Sequence, residues 1–190
     1  MRIKDEFKQD AIFNATVKMV NEIGFVSSSV SKIAQQANVS PATIYIYYKN
    51  KEDLLVSVYI EIKQRMSKAL LKNFDDTQPF RDILYNFWLN GFEFASKYGN
   101  YYQYTEQFAN SPFSELVQNS EIEKHFEPLI RILQKAIEQK IIKNVPMEIL
   151  TAFIFYPMMI IANHKICKTV KINKQTIDQA FLLAWDAIKL

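Results

Sequence analysis

Cysteine is almost absent from this chain. Cys167 stands alone, which excludes an intrachain disulfide and any metal site built from several thiolates, and leaves nothing that requires an oxidising compartment. Glycine is nearly as scarce. Gly24, Gly91 and Gly99 are the whole supply in 190 residues, too few to turn the strands of an all-β sandwich, whereas helices can be closed with Asn, Ser and Pro. A long apolar run is missing too: the longest stretch, Ile149 to Ala162, contains Thr151 and Pro157 and falls short of the ~18 residues a membrane span needs. It reads as a buried helix, with Pro157 kinking it. Residues 1–10 alternate charged and apolar side chains and lack the core of a secretory signal, so a cytoplasmic protein without a membrane partner is expected. The two histidines, His125 and His164, are far apart and have no neighbours at ligand spacing; no metal site and no cofactor are expected. An excess of one charge is also lacking, with a net value of only +3. The distribution says more: residues 1–72 carry net +4 and the remainder net −1, so what attraction there is for an anionic partner lies in the N-terminal third.

What is present is the balance of a globular chain, with 49% hydrophobic and 23% charged residues. Ile12, Ala15, Thr16, Met19, Val20 and Ile23 recur at helical spacing, and Gly24 stops that helix. The serines 27–29 supply an N-cap for a second helix with the stripe Val30, Ile33, Ala34, Ala37. Asn38, tolerant of a left-handed backbone, makes a tight turn, and Val39 points back inward. Ser40 and Pro41 then form the N-cap and first position of a third helix running to about Tyr48. Asn50 and Asp53 resemble a capping box for a long fourth helix whose apolar face runs from Leu54 to Leu70. After a linker at 73–79, further helices are expected at about 79–98, 101–110, 112–119, 122–140, 146–168 and 174–189.

Two short helices joined by a tight turn, the second opened by Ser-Pro, follow the helix-turn-helix plan, whose second helix enters the major groove of DNA. Ala34 and Ala37 allow a close crossing, Val39 and Ile44 plug the space between, and Pro41, Ala42, Thr43, Tyr45, Ile46 and Tyr47 face outward. By the same spacing Tyr48 packs inward. Tyr47, Lys51 and the N-terminus of the fourth helix bring a hydroxyl, an ammonium and free amides to where a phosphate can sit. The unremarkable alternatives are a generic helical hairpin for the motif and solvated charges for Lys49 and Lys51.

The segments Ile12-Phe13-Asn14-Ala15 to Gly24-Phe25, Ser29-Val30-Ser31-Lys32-Ile33-Ala34, Val39-Ser40-Pro41-Ala42-Thr43-Ile44-Tyr45 and Tyr48-Lys49-Asn50-Lys51-Glu52-Asp53-Leu54-Leu55 together resemble the tetracycline-repressor (TetR) family over residues 10–55. Asn38 stands where the family usually has glycine. The resemblance implies an all-α protein with a three-helix DNA-binding domain at 1–50 and, joined through the long fourth helix, a helical effector-binding and dimerisation domain at 51–190. It implies a repressor that binds a near-palindromic double-stranded operator as a homodimer, paired through its last two helices and released by a small lipophilic or aromatic effector. It places phosphate contacts at Ser29, Thr43, Tyr45, Tyr47 and Lys51, and base-edge contacts at Pro41, Ala42 and Ile46. Because those last three side chains have no donors or acceptors, thymine-methyl contact and DNA shape would do the reading.

The middle of the chain is rich in aromatic residues, and Trp88, Phe92, Tyr104 and Phe108 are the candidates for an effector pocket; the plainer reading is that most are core. The apolar 153–159 stretch suits a helix covered by its own core on one side and a partner subunit on the other, or else a deeply buried central helix. A small helical enzyme built on the aromatic middle is the competing function. It lacks a Gly-rich phosphate loop, a metal-ligand cluster and a Gly-x-Ser-x-Gly elbow. A third reading is an interaction module that keeps the fold without binding DNA.

Overall fold

The structure, a computed structural model, describes residues 2–163 and 166–190. Its described residues form nine α-helices: α1 (Arg2–Ser27), α2 (Val30–Gln36), α3 (Pro41–Tyr47), α4 (Lys51–Leu70), α5 (Phe80–Lys97), α6 (Gly99–Ala109), α7 (Asn119–Glu138), α8 (Met147–Ala162) and α9 (Lys174–Ile188). The 112–119 segment is a 3₁₀ helix, Pro112–Leu116, rather than the expected α-helix. The helix expected to reach residue 168 ends at Ala162, capped by Asn163, where the apolar repeat gives way to polar residues; it runs through Pro157 as one element. His164 lies outside the described residues.

The chain divides into two compact units, one of Met1–Gln64 with Asn100–Ile122, the other of Arg65–Gly99 with Glu123–Leu190. The helices foreseen for 1–50 therefore share a unit with the first part of α4 and with α6.

In the first unit, α1 packs on α2 and α2 on α3. Gly24 has φ 76° inside the span of α1, a left-handed conformation that glycine adopts without a Cβ penalty, and it breaks the helix where the sequence placed the break. The buried face of α1 is wider than the expected stripe: Phe13 and Val17 are buried with Ile12, Thr16 and Val20, whereas Ile23 is exposed. α6 supplies the reason, since Tyr101 meets the Phe13 ring edge-on with centroids 5.4 Å apart. Phe25 packs edge-on against Tyr104 and Phe108, and Phe108 stacks on Tyr59 of α4 at 4.1 Å. The buried Tyr104 hydroxyl donates to the Leu55 carbonyl at 2.9 Å; burial drives its pKa well above the usual tyrosine value.

In the second unit, α5 packs against α8 and α9, and α8 against α9. The core is built at helical spacing from Leu84, Phe87 and Trp88 of α5, Leu129, Ile132, Leu133 and Ala136 of α7, Leu150, Ile154 and Met158 of α8, and Phe181, Ala184 and Ile188 of α9. Each fully buried large side chain contributes about 1.5–3 kcal/mol. Gly91 permits the close approach of α8: a Cβ there would fall 2.6 Å from Met158 Sδ. The Tyr85 hydroxyl donates to Asp178, which raises the tyrosine pKa to about 12. Asn173 and Thr176 cap α9 reciprocally at 3.0 Å each way. The chain end is tied back by an antiparallel bridge between Ile142 and Lys189.

Candidate nucleic-acid interface

The turn between α2 and α3 is set by Asn38, whose φ is 54°, the left-handed conformation that asparagine tolerates better than most residues. The Val39 amide then reaches back to the Ala34 carbonyl at 3.0 Å. Ser29 caps α2 by accepting from the Lys32 amide at 3.3 Å, and Ser40 caps α3 by accepting from the Thr43 amide at 3.1 Å. Ile44 is fully buried beneath α3, and Val39 is half-buried beside it. With that plug in place, α3 turns the opposite face to solvent: Pro41 and Ala42 are exposed, Tyr45 is 55% exposed and Ile46 75%. The exposed face of α3 is thus mainly apolar, as the residue types require.

The flanking polar groups are more committed than their spacing suggested. The Thr43 hydroxyl lies 2.9 Å from the Ser40 hydroxyl and is half-buried. Tyr47, expected to point outward, is half-buried like Tyr48, and the two rings meet edge-on at 6.4 Å. The reason is that α3 ends at Tyr47 and Tyr48 is already extended, so both rings fold against one another. Burial, reinforced by Glu61, Asp53 and Tyr47, pushes the Tyr48 pKa to about 12. Lys51 donates its ammonium to the Val26 carbonyl at 3.2 Å, and Lys32 donates to the neighbouring Ser27 carbonyl at 3.1 Å. Two cations from different helices therefore converge on the C-terminal carbonyls of α1, where a helix end attracts positive charge. Sequence reasoning singled out Lys51 and missed Lys32, because the signal is the tertiary position of Ser27 rather than any spacing within α2.

Only half of the capping box expected for α4 forms: Asn50 Oδ1 accepts from the Asp53 amide at 2.7 Å, whereas Asp53 Oδ2 accepts from the amide of Lys49, one residue before the N-cap, at 2.8 Å. The Lys51 and Glu52 amides stay outside the helical ladder, as at any helix start.

The four aromatic candidates for an effector pocket fall in different units. Tyr104 and Phe108 belong to the first, Trp88 and Phe92 to the second, and all four are buried core side chains. None lines the cavity bounded by Leu70, Phe74, Ile83 and Phe87, nor the open groove beside Phe25, Gln107 and Phe113. Trp88 Nε1 is buried and has no hydrogen-bond partner among the described residues. Among the described residues there is no cluster of three or more His, Cys, Asp or Glu side chains able to hold a metal ion, and no helix long and apolar enough to cross a membrane.

On α8, Leu150, Ile154, Met158 and Ala162 are buried, but Ile149, Phe153, Tyr156 and Ile160 on the other side are 37–59% exposed. On α9, Leu182 and Leu183 are exposed. Of the two expectations for the 153–159 stretch, the deeply buried central helix is not what forms.

Two family models match the chain: "Bacterial regulatory proteins, tetR family" over residues 12–58 and "Tetracyclin repressor-like, C-terminal domain" over residues 79–189. A crystal structure of a TetR family transcription regulator from Marinobacter aquaeolei VT8 superposes with a TM-score of 0.92 at 30% identity, covering 100% of this chain and 99% of that one. An HTH-type transcriptional regulator of Haemophilus influenzae is 31% identical over 111 residues, 58% of this chain and 59% of the relative. The fatty acid metabolism regulator protein of Bacillus subtilis is 43% identical over 65 residues, 34% of this chain and 32% of the relative. These matches span about three-fifths and one-third of the two curated relatives. With a C-terminal model matched over more than half of its length and a solved structure aligned end to end at 30% identity, the chain belongs to the TetR family.

Proposed function

We propose that the protein is a DNA-binding transcriptional regulator acting as a homodimeric repressor in the cytoplasm, released from its operator by a small molecule. The observation that carries this is the solvent-facing side of α3, with Pro41, Ala42, Tyr45 and Ile46 held outward by a buried Ile44. In this reading Pro41, Ala42 and Ile46 approach base edges, while Ser29, Thr43, Tyr45, Tyr47 and Lys51 lie along the phosphates. Lys51 retains two ammonium protons beyond the one given to Val26. Lys32, anchored one carbonyl away, joins it as a phosphate-facing cation.

The apolar faces of α8 and α9 support pairing of two chains through the last two helices. Ile149, Phe153, Tyr156 and Ile160 follow i, i+4, i+7, i+11 spacing, a self-complementary stripe of the kind a twofold interface uses. Two α3 helices about 34–36 Å apart would then meet successive major grooves. An effector acts by favouring a dimer with a different spacing, and a hundredfold preference corresponds to about 2.7 kcal/mol of coupling. α4, which carries residues of both units in one helix, is the element through which that preference travels.

Fluorescence anisotropy of labelled DNA from upstream of the gene tests the reading, with a scrambled duplex as control and two salt concentrations. Saturable, salt-sensitive binding that favours the native DNA is expected. Equal, feeble binding to both duplexes, followed by failure to enrich any sequence from random duplexes, would refute it.

A further inference from the structure

Residues 6–10, near the start of α1, are exposed one after another, and Phe7 among them leaves 70% of its surface in solvent. A stretch of helix without tertiary packing is marginal in water, so this one gains from a cover that its own chain does not supply. The match to the DNA-binding family model begins only at residue 12. DNA is a poor candidate for that cover, because residues 2–10 carry three basic and three acidic side chains and offer phosphates no net attraction.

In the same unit, an open groove of about 640 Å³ lies between the end of α1 and the end of α6. Phe25, Val26, Pro112 and Phe113 give it apolar walls, and Val26 is 91% exposed. Glu106 is the one ionisable side chain among its lining residues, and it has no ion pair among the described residues. An aromatic side chain beside a cation complements such a groove, and Phe7 with Lys8 is that pair. Single exposed apolar side chains are common; an apolar surface matched together with its countercharge is what sets these two features apart. A chain cannot fill its own groove. The unbroken helix from Phe7 to Gly24 is about 25 Å long, several times the reach of a phenylalanine side chain.

We propose that Phe7 of one copy of the chain docks in the groove of a second copy, with Lys8 beside Glu106. The contact goes beyond the reading of α3 as a DNA-contacting helix and does not depend on it. Phe7 and the groove are different patches, so the contact is separate from the self-complementary stripe proposed on α8. One phenylalanine and one exposed ion pair give a contact of about millimolar strength. Copies in dilute solution are therefore not held together by it. Copies sharing one duplex meet at effective concentrations of about the same order, and there the groove fills.

The test is paramagnetic broadening in the full-length protein carrying Cys167→Ser. One sample bears a nitroxide on Glu6→Cys, which keeps Phe7 and Lys8 in place. The other is ¹⁵N-labelled without a nitroxide, so only contact between copies broadens its signals when the two are mixed at about millimolar concentration. Broadening is expected at the amides of Glu106, Gln107 and Phe113 and not at those of Ala42 and Ile46 on α3. Phe7→Ser in the nitroxide-bearing copy removes it, and because Phe7 is exposed the fold is not at stake. Lys8→Glu in that copy weakens the contact about threefold, and Glu106→Lys in the labelled copy restores it. No broadening at the groove, broadening centred on another surface, broadening that survives Phe7→Ser, or a reversed pair that fails to recover overturns the proposal.

Discussion

Two of the surfaces that expose apolar side chains, one on α3 and one on α8, do so in opposite chemical settings. On α3, Tyr45 and Ile46 stand out beside Pro41 and Ala42, flanked by the hydroxyls of Ser40 and Thr43 and by the ammoniums of Lys32 and Lys51. On α8, Ile149, Phe153, Tyr156 and Ile160 form a stripe along a helix whose only ionisable residues are Glu148 in its first turn and Tyr156 itself. Exposure alone would class the two together. Their neighbours separate them: an apolar face edged with cations and small donors suits the floor of a DNA groove, where methyl groups lie between phosphates, while an apolar stripe without such an edge suits another apolar stripe.

The sharpest way to break this comparison is to charge the second surface. Phe153→Asp puts an unpaired carboxylate into the twofold interface proposed for α8, and on that reading the mass by light scattering falls to the 22.3 kDa of one chain. Loss of the second half-site should weaken operator binding by about a hundredfold or more. A dimer that persists would remove the stated role of α8. Next in size is Lys51→Ala, which should lower affinity for every duplex and flatten the slope of log K against log salt by about 1; an unchanged slope would mean that Lys51 serves only to hold Val26. Ala42→Gln, by contrast, should change which sequences are preferred while leaving the salt slope as it was, as read by selection from random duplexes. The smallest effect is expected at the turn. Asn38→Ala forces a Cβ without a compensating side chain into φ 54° and should cost about 1 kcal/mol in urea unfolding, with the preferred sequence unaltered.

Most of the helix-turn-helix was legible in the sequence because its determinants are local. Ser29, Asn38, Ser40 and Asn50 each act within four residues of their own position, and caps and left-handed turns announce themselves in residue type. What was not legible depends on distant chain. Phe13 is buried because Tyr101 covers it, Lys51 is held by the Val26 carbonyl 25 positions earlier, and Tyr47 is half-buried with its ring edge-on to Tyr48 where α3 stops. The aromatic middle was recognisable only as a composition. Its division, with Tyr104 and Phe108 in one core and Trp88 and Phe92 in another, follows from the break between α5 and α6 at Tyr98, which no local pattern marks as a change of unit.

The hydrogen bond from Tyr104 to the Leu55 carbonyl carries a consequence for anyone grafting regulators. A chimera spliced after residue 50 would separate α3 from the helix that Tyr104 grips and strip Phe13 and Phe25 of their aromatic cover. The transplantable reading head is discontinuous in sequence, ending at Gln64 and taking residues 100–122 with it. A graft that moves both pieces keeps its own core; one that moves the first alone exports an unfinished one.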